Sequence, residues 1–270
     1  MVLPMTLKAE LYLKLRNYEK KVGFDAQEHV YFYKGRTLTS MTKLYKKFFP
    51  AFNATQISER LARKELGDAD YGIILKKARE IRDSWKNKAK LGTIVHDYAE
   101  HTLIAGTAIP CNPDSFKDHP DYLPALENTY PSYCKGVQDF LQNDLTLFDN
   151  FLYSELVVWD AEFSVAGQVD FITYNPDGSI DLWDWKTSGE ITPEGVSFGK
   201  FGFGCLAGLP DTNFSHYSLQ LSGYAFIIEK NLGLKVRSLK VVHIQPEFWK
   251  VYELPYLKDE AYQVLASNKE

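Results

Sequence analysis

Gly167-Gln168-Val169-Asp170-Phe171-Ile172-Thr173-Tyr174, followed by Asn175-Pro176-Asp177-Gly178 and then Ser179-Ile180-Asp181-Leu182-Trp183-Asp184-Trp185-Lys186, reads as two strands joined by a tight turn. Pro176 presets φ for a type I turn and Gly178 supplies a left-handed residue, so Pro176, Asp177 and Gly178 form a three-residue hairpin loop. Counting outward from Asn175 opposite Ser179 places Asp170 opposite Asp184, with Cα atoms about 4.5–5.5 Å apart on one face. Lys186, two residues beyond Asp184, shares that face. Like charges set opposite each other destabilise a sheet. Two carboxylates held together beside a lysine are therefore most simply a divalent-metal site. The other face carries Val169, Phe171, Trp183 and Trp185, fit for a core. Alternation alone fits a half-solvated hairpin equally well, its charges simply facing water.

Composition bounds the alternatives. The chain has 270 residues, 45% hydrophobic and 14% aromatic, enough for one large core or a core with a helical appendage. Cys111, Cys134 and Cys205 are scattered, which suits a reducing compartment and argues against a disulfide framework or an iron–sulfur cluster. No apolar run is long enough to span a bilayer, and Met1–Glu10 lacks the pattern of a secretory signal. The expectation is a soluble, cytoplasmic protein with no membrane partner. The net charge of −4 conceals an asymmetry: residues 1–90 hold 20 Lys and Arg against 10 Asp and Glu, and the remainder reverses that balance. The basic part peaks at Lys76, Lys77, Arg79 and Arg82, continuing through Lys86, Lys88 and Lys90. Ile74, Ala78, Ile81 and Trp85 recur on one side of the same helical stretch. A basic helix face suits a phosphate backbone, although an ordinary solvated face has the same pattern.

The expected elements are helices over 8–20, 55–66, 71–90, 92–105, 122–143 and 217–231, with a short helix after Ser40 or Thr42 as cap. Strands are expected over 151–163, in the hairpin, and near 236–245 and 250–254, with 30–33 a short strand or turn. The reading is an α/β chain with a basic helical N-terminal cap over 1–90 and a core over 91–270, together one compact unit.

In order along the chain, Gly167-Gln168-Val169-Asp170, Asp184-Trp185-Lys186-Thr187-Ser188 and Gln220-Leu221-Ser222-Gly223-Tyr224 resemble the motif series of the PD-(D/E)XK nucleases. The similar branch holds the RecB-type nuclease domains, the phage exonucleases and the mitochondrial genome-maintenance exonuclease. Upstream, Gly92-Thr93-Ile94-Val95-His96 with Glu100 is similar to that branch's Gly-x-x-x-His-x-x-x-Glu element, and Glu155 to the acidic residue of its first core strand. Val169 stands where the family name has proline. The resemblance spans roughly Thr37 to the C-terminus and implies a restriction-endonuclease-like core: a small mixed central sheet flanked by helices.

It further implies metal-assisted phosphodiester hydrolysis. Asp170 and Asp184 would hold one or two Mg²⁺ or Mn²⁺ ions, with the Trp185 carbonyl and His96 completing the shell. Lys186 would orient or deprotonate the attacking water and neutralise developing charge. Glu100, Glu155, Gln220 and Tyr224 would support the site or touch DNA. Asp97 and His101 form a rival pair one residue along from His96 and Glu100, and His243 reads as structural. The glycine-punctuated segment 188–216, with Phe198, Phe201 and Phe203, is either a base-stacking loop or a loop stapled by its own aromatics. The leading expectation is a DNA exonuclease of phage-type replication or recombination, acting on single strands or free ends. A structure-specific or restriction-like endonuclease and a non-catalytic nucleic-acid-binding module are the alternatives.

Overall fold

The computed structural model describes residues 6–25, 28–111, 116–192 and 200–269. The turn residues act as their chemistry dictates. Gly178 has φ +83°, its N–H bonds the Asn175 carbonyl at 2.9 Å, and Asn175 N–H bonds the Ser179 carbonyl at 2.8 Å. The register that follows, Tyr174 with Ile180 through Phe171 with Trp183, is the one the loop predicts.

In chain order the elements are α1 (Leu7–Glu19), β1 (Gly23–Asp25), β2 (Val30–Tyr33), β3 (Arg36–Ser40), α2 (Met41–Lys46), α3 (Ala54–Leu66), α4 (Tyr71–Ala105) and α5 (Tyr130–Asn143). Then come α6 (Thr146–Asn150), β4 (Phe151–Asp160), β5 (Val165–Tyr174), β6 (Ile180–Lys186), α7 (Asn213–Leu232), β7 (Val236–Gln245), β8 (Phe248–Leu254) and α8 (Lys258–Ala266). Together they make a mixed α/β fold around an eight-stranded sheet, with β4–β5–β6 antiparallel, β6–β7 parallel and β7–β8 antiparallel. Among the described residues no helix is long and apolar enough to cross a membrane.

Helices cover both faces of the sheet. Ile172, Leu182 and Val241 pack with residues of α1, α2 and α7, whereas Phe171, Trp183, Trp185 and Val242 pack with α4 and α5. Phe171 stacks on Trp183 and Trp185 at 5.2 and 4.9 Å. Val169 is buried too, but in the first of these cores, with its cross-strand partner Leu156. The charged face of the hairpin therefore does not look into water, and Asp184 is only 2% exposed. Burial removes the half-solvated reading.

Several features differ from expectation: the helix expected over 122–143 begins at Tyr130, the strand expected over 151–163 ends at Asp160, and α6 was not expected. Residues 71–105 form one helix, not two, because Gly92 lies inside it where a Cβ would come within 3.0 Å of the Thr187 hydroxyl. Glycine costs an interior helix position about 1 kcal/mol, and here it lets α4 approach the end of β6. The sheet is also larger than expected, because residues 23–40 supply three strands, β3 joining β5 in parallel through Thr39–Val165 and Ser40–Ala166. Finally, α8 was not expected; Ala261, Val264 and Leu265 seat it by burial.

One edge of β5 is shared by two strands: β3 takes Val165 and Ala166, and β6 takes Phe171 to Tyr174. Between them, Gly167–Asp170 pair on that edge with no strand among the described residues. This fork in the sheet positions the site. The outer edge of β4 is capped by side chains of α1: Glu19 accepts the Val157 N–H at 2.9 Å, and the Tyr18 hydroxyl accepts the Trp159 N–H at 2.7 Å. Edge donors that would otherwise recruit another strand are satisfied in this way.

Candidate active site

At the fork, Asp170 does what a neighbouring strand would have done. Its Oδ2 accepts the Trp185 N–H at 2.7 Å, just past the last paired position of β5 and β6. Asp184 lies beside it, and its Oδ2 touches the Lys186 ammonium as an ion pair while accepting no directed hydrogen bond. His96, from α4, brings Nδ1 to 3.3 Å from Asp170 Oδ2. A cleft of about 590 Å³ lies next to these groups, walled by Gly92, His96 and Glu100 of α4, Glu155 of β4, and Lys186 with Ser188 at the end of β6; Asp170 and Asp184 are not among its lining residues.

Burial governs the electrostatics. It raises Asp170 and Asp184 to about 6 each, although Lys186 pulls both the other way. Burial, together with the charges of Asp170 and Glu100, raises Glu155 to about 9. Burial also works against the Lys186 ammonium, but Asp184 and Asp170 outweigh it and hold the lysine above its ordinary value. His96 falls to about 4 through burial and the nearby Lys186 charge, so its ring is neutral at physiological pH. Among the described residues the site gathers Asp170, Asp184 and Glu155 around the Lys186 ammonium, which favours a further positive charge.

Glu155 reaches the cleft by an unusual backbone. Its φ is +51° in the middle of β4, where the ladder passes from Ser154–Phe171 to Leu156–Val169. Its carbonyl takes a hydrogen bond from the Gln168 amide at 3.1 Å. A left-handed non-glycine residue costs about 1–3 kcal/mol, and such positions cluster at functional sites. Alternation along 151–163 gave no direction for this side chain, because the kink breaks the alternation.

Two helices complete the surroundings. On α4, Glu100 accepts the Ser154 hydroxyl at 3.0 Å. On α7, the Gln220 amide reaches the Tyr224 hydroxyl at 3.3 Å, and the buried Tyr224 ring lies against the backbone of Gly167. A Cβ at position 167 would come within 2.5 Å of that hydroxyl. Tyr217, which the sequence reading did not single out, lies under Lys186 (5.1 Å from ring centroid to Nζ) and bonds Ser188 at 2.8 Å. Its signal was its place three residues before Gln220, one turn away on the same helix face. His243 and Gln245 both hold the Ser188 carbonyl, at 2.7 and 2.8 Å, which agrees with a structural histidine. In the rival pair, His101 bonds the Asp97 carbonyl and Asp97 bonds His119, while Asp97 also lines the cleft.

The basic segment divides. Lys77 pairs with Glu65 at 2.5 Å and Arg82 donates to Ser58 at 2.6 Å, so both tie α4 to α3. Lys76 and Arg79 are exposed. Ile74 and Ala78 are buried against Ala62 of α3, as the apolar side of that stretch requires. Phe198 lies outside the described residues, whereas Phe201 and Phe203 are exposed on a turn that bonds the Phe48 carbonyl through Phe203 N–H.

Among the described residues, no group of three or more His, Cys, Asp or Glu side chains is arranged to cage a metal ion. His96, Asp170 and Asp184 thus do not converge as a ready-made triad. The available donors are the carboxylates of Asp170, 12% exposed, and Asp184, 2% exposed, the latter paired with Lys186. That donor set fits magnesium, which binds through one or two carboxylates and completes its shell with water and phosphate oxygens. No protein-family model matches the chain, and no curated protein matches it in sequence.

Proposed function

We propose that this protein is a metal-dependent nuclease of the PD-(D/E)XK type, with a restriction-endonuclease-like core, acting on DNA as an exonuclease. The observation that carries the reading is the meeting of Asp170, Asp184 and Lys186, with Lys186 and the Asp170 partner His96 lining an open cleft. Two carboxylates raised by burial gain by receiving a divalent cation, and the Lys186 ammonium lies beside them.

Asp170 and Asp184, with the Trp185 carbonyl, would hold Mg²⁺ or Mn²⁺. When bound, such an ion polarises the scissile phosphate and lowers the pKa of coordinated water. The chain's own residues prepare the rest. The Trp185 N–H fixes the Asp170 carboxylate, and neutral His96 steadies it from the other side. Lys186, held protonated, is suited to neutralise charge developing on the phosphate rather than to act as a base. Tyr217 and Ser188 fix the direction of that lysine, and Tyr224 fills the fork behind it. Exposed Lys76 and Arg79 supply sequence-independent attraction for the backbone.

The test is digestion of linear against closed circular single-stranded DNA in Mg²⁺ or Mn²⁺. Linear strands should be consumed while circles resist. Circles cut equally fast would select the endonuclease alternative. Asp170→Asn and Asp184→Asn should abolish cleavage and reduce the gain in melting temperature on adding the ion. Lys186→Ala should lose turnover far more than DNA affinity. Absence of any cleavage by the intact protein would leave only the non-catalytic binding module.

A further inference from the structure

α3 and α4 form a helical hairpin whose small core, Ala62, Ile74 and Ala78 with Leu66, Ala69 and Ile81, is separate from both cores of the sheet. Where this hairpin meets the body, Trp85 of α4 lies against Phe52, with ring centroids 5.5 Å apart and planes at 59°. Phe52 is 68% exposed, and neither ring belongs to any of the three cores. Phe52 therefore leaves most of its ring to solvent, and Trp85 is half-buried.

Its position is specific. Trp85 precedes Lys88 by three residues and Ala89 by four, so the three share a face of α4. Lys88, Ala89, Gly92 and His96 of that face line the cleft. Eleven residues separate Trp85 from His96, about 16 Å along the helix axis. The cleft reaches from Lys186 and Glu155 to the exposed Lys88, and the aromatic pair stands one turn of α4 beyond that lysine. The charge changes in the same direction, from Asp170, Asp184 and Glu155 at one end to Lys86 and Lys88 at the other.

Resting on the nuclease reading above, we propose that Phe52 and Trp85 form a stacking platform for one unpaired base of a single-stranded polynucleotide whose backbone runs over Lys88 toward Asp170 and Asp184. Aromatic faces accept any base, so the platform holds a strand without reading its sequence. It favours a strand already unstacked over a duplex, whose bases present no free face.

The experiment uses the full chain in an Asp184→Asn background, with Mg²⁺ present, binding a fluorescent oligothymidylate. A single abasic position is walked along the oligonucleotide. One position should weaken binding about tenfold, a typical loss for one stacked base. Phe52→Ala and Trp85→Ala should each weaken binding to the intact oligonucleotide by a similar factor and become indifferent to that abasic position. Trp85→Phe should retain most of the affinity and the sensitivity. Phe52 is exposed, so its removal leaves the fold in place even if Trp85→Ala perturbs α4. If the oligonucleotide binds but every abasic position and both alanine variants are neutral, the platform is refuted and the nuclease reading stands. If wild type neither binds nor degrades single strands, both fail.

Discussion

Gly167→Ala has two opposite expectations, and the contact with Tyr224 decides between them. Position 167 lies in an ordinary strand conformation, with none of the left-handed φ that only glycine adopts freely. On backbone grounds alone, alanine in a strand should stabilise the protein by about 0.5–1 kcal/mol. In the folded protein, however, the added Cβ would meet Tyr224 at 2.5, 2.6 and 2.9 Å, at the hydroxyl and two ring carbons. Tyr224 is 2% exposed and has no room to retreat. Overpacking of this kind costs about 1–3 kcal/mol, so the net change should be destabilising. Denaturant unfolding of Gly167→Ala, Tyr224→Ala and the double variant provides the check. Tyr224→Ala alone should lose about 3–5 kcal/mol, as for other buried large aromatics. In the double variant the clash is absent, so the combined loss should fall short of the sum by at least about 1 kcal/mol. A stabilised Gly167→Ala, or strictly additive losses, would refute the packing of Tyr224 into the fork.

Other consequences follow from the same geometry. Glu155 is raised from 4.5 to about 9 in the fold, so the folded state keeps a proton that the unfolded chain has lost; the stability this lends is complete below about pH 4.5 and disappears as pH rises toward 9. In chelator, Glu155→Gln should therefore raise the melting temperature at pH 8 more than at pH 5, and equal shifts at both would remove Glu155 from the carboxylate cluster. Glu19→Ala should cost about 1–3 kcal/mol in unfolding experiments by leaving the Val157 N–H without its acceptor on the β4 edge; a neutral result would mean that water replaces the carboxylate. Neutralising Lys76 and Arg79 should flatten the dependence of log affinity on log salt by up to about two counterions released on binding DNA, while the same change at Lys77 and Arg82 should chiefly loosen α3 from α4, read as a lowered melting temperature.

The hairpin was legible because everything that sets it is local. Pro176 and Gly178 choose the loop, and the loop length aligns Tyr174 with Ile180 through Phe171 with Trp183, where the ladder ends one residue short of Asp170 and Asp184. The ranges of β7, and of α7 except for its first turn at Asn213, were legible for a similar reason, since apolar periodicity needs only its own segment. The i, i+4 spacings placed His96 with Glu100, and Gln220 with Tyr224, before any partner was known.

Tertiary structure alone decided what those residues face. Whether the hairpin's charges meet water or a buried cleft depended on α4 and α7, which lie tens of residues away in sequence on either side. The strand edge that β3 would join, and hence the gap at Gly167–Asp170, was a choice among distant partners with no local signature. The helix break expected near Gly92 vanished because the close approach to Thr187 offsets a weak local preference. Glu155 turned inward through a backbone conformation that alternation does not encode, and Lys77 and Arg82 were claimed by α3 rather than left on an open face. Turn chemistry and periodicity act along the chain, whereas burial and the charge balance around Asp170, Asp184 and Lys186 exist only once remote segments enclose them.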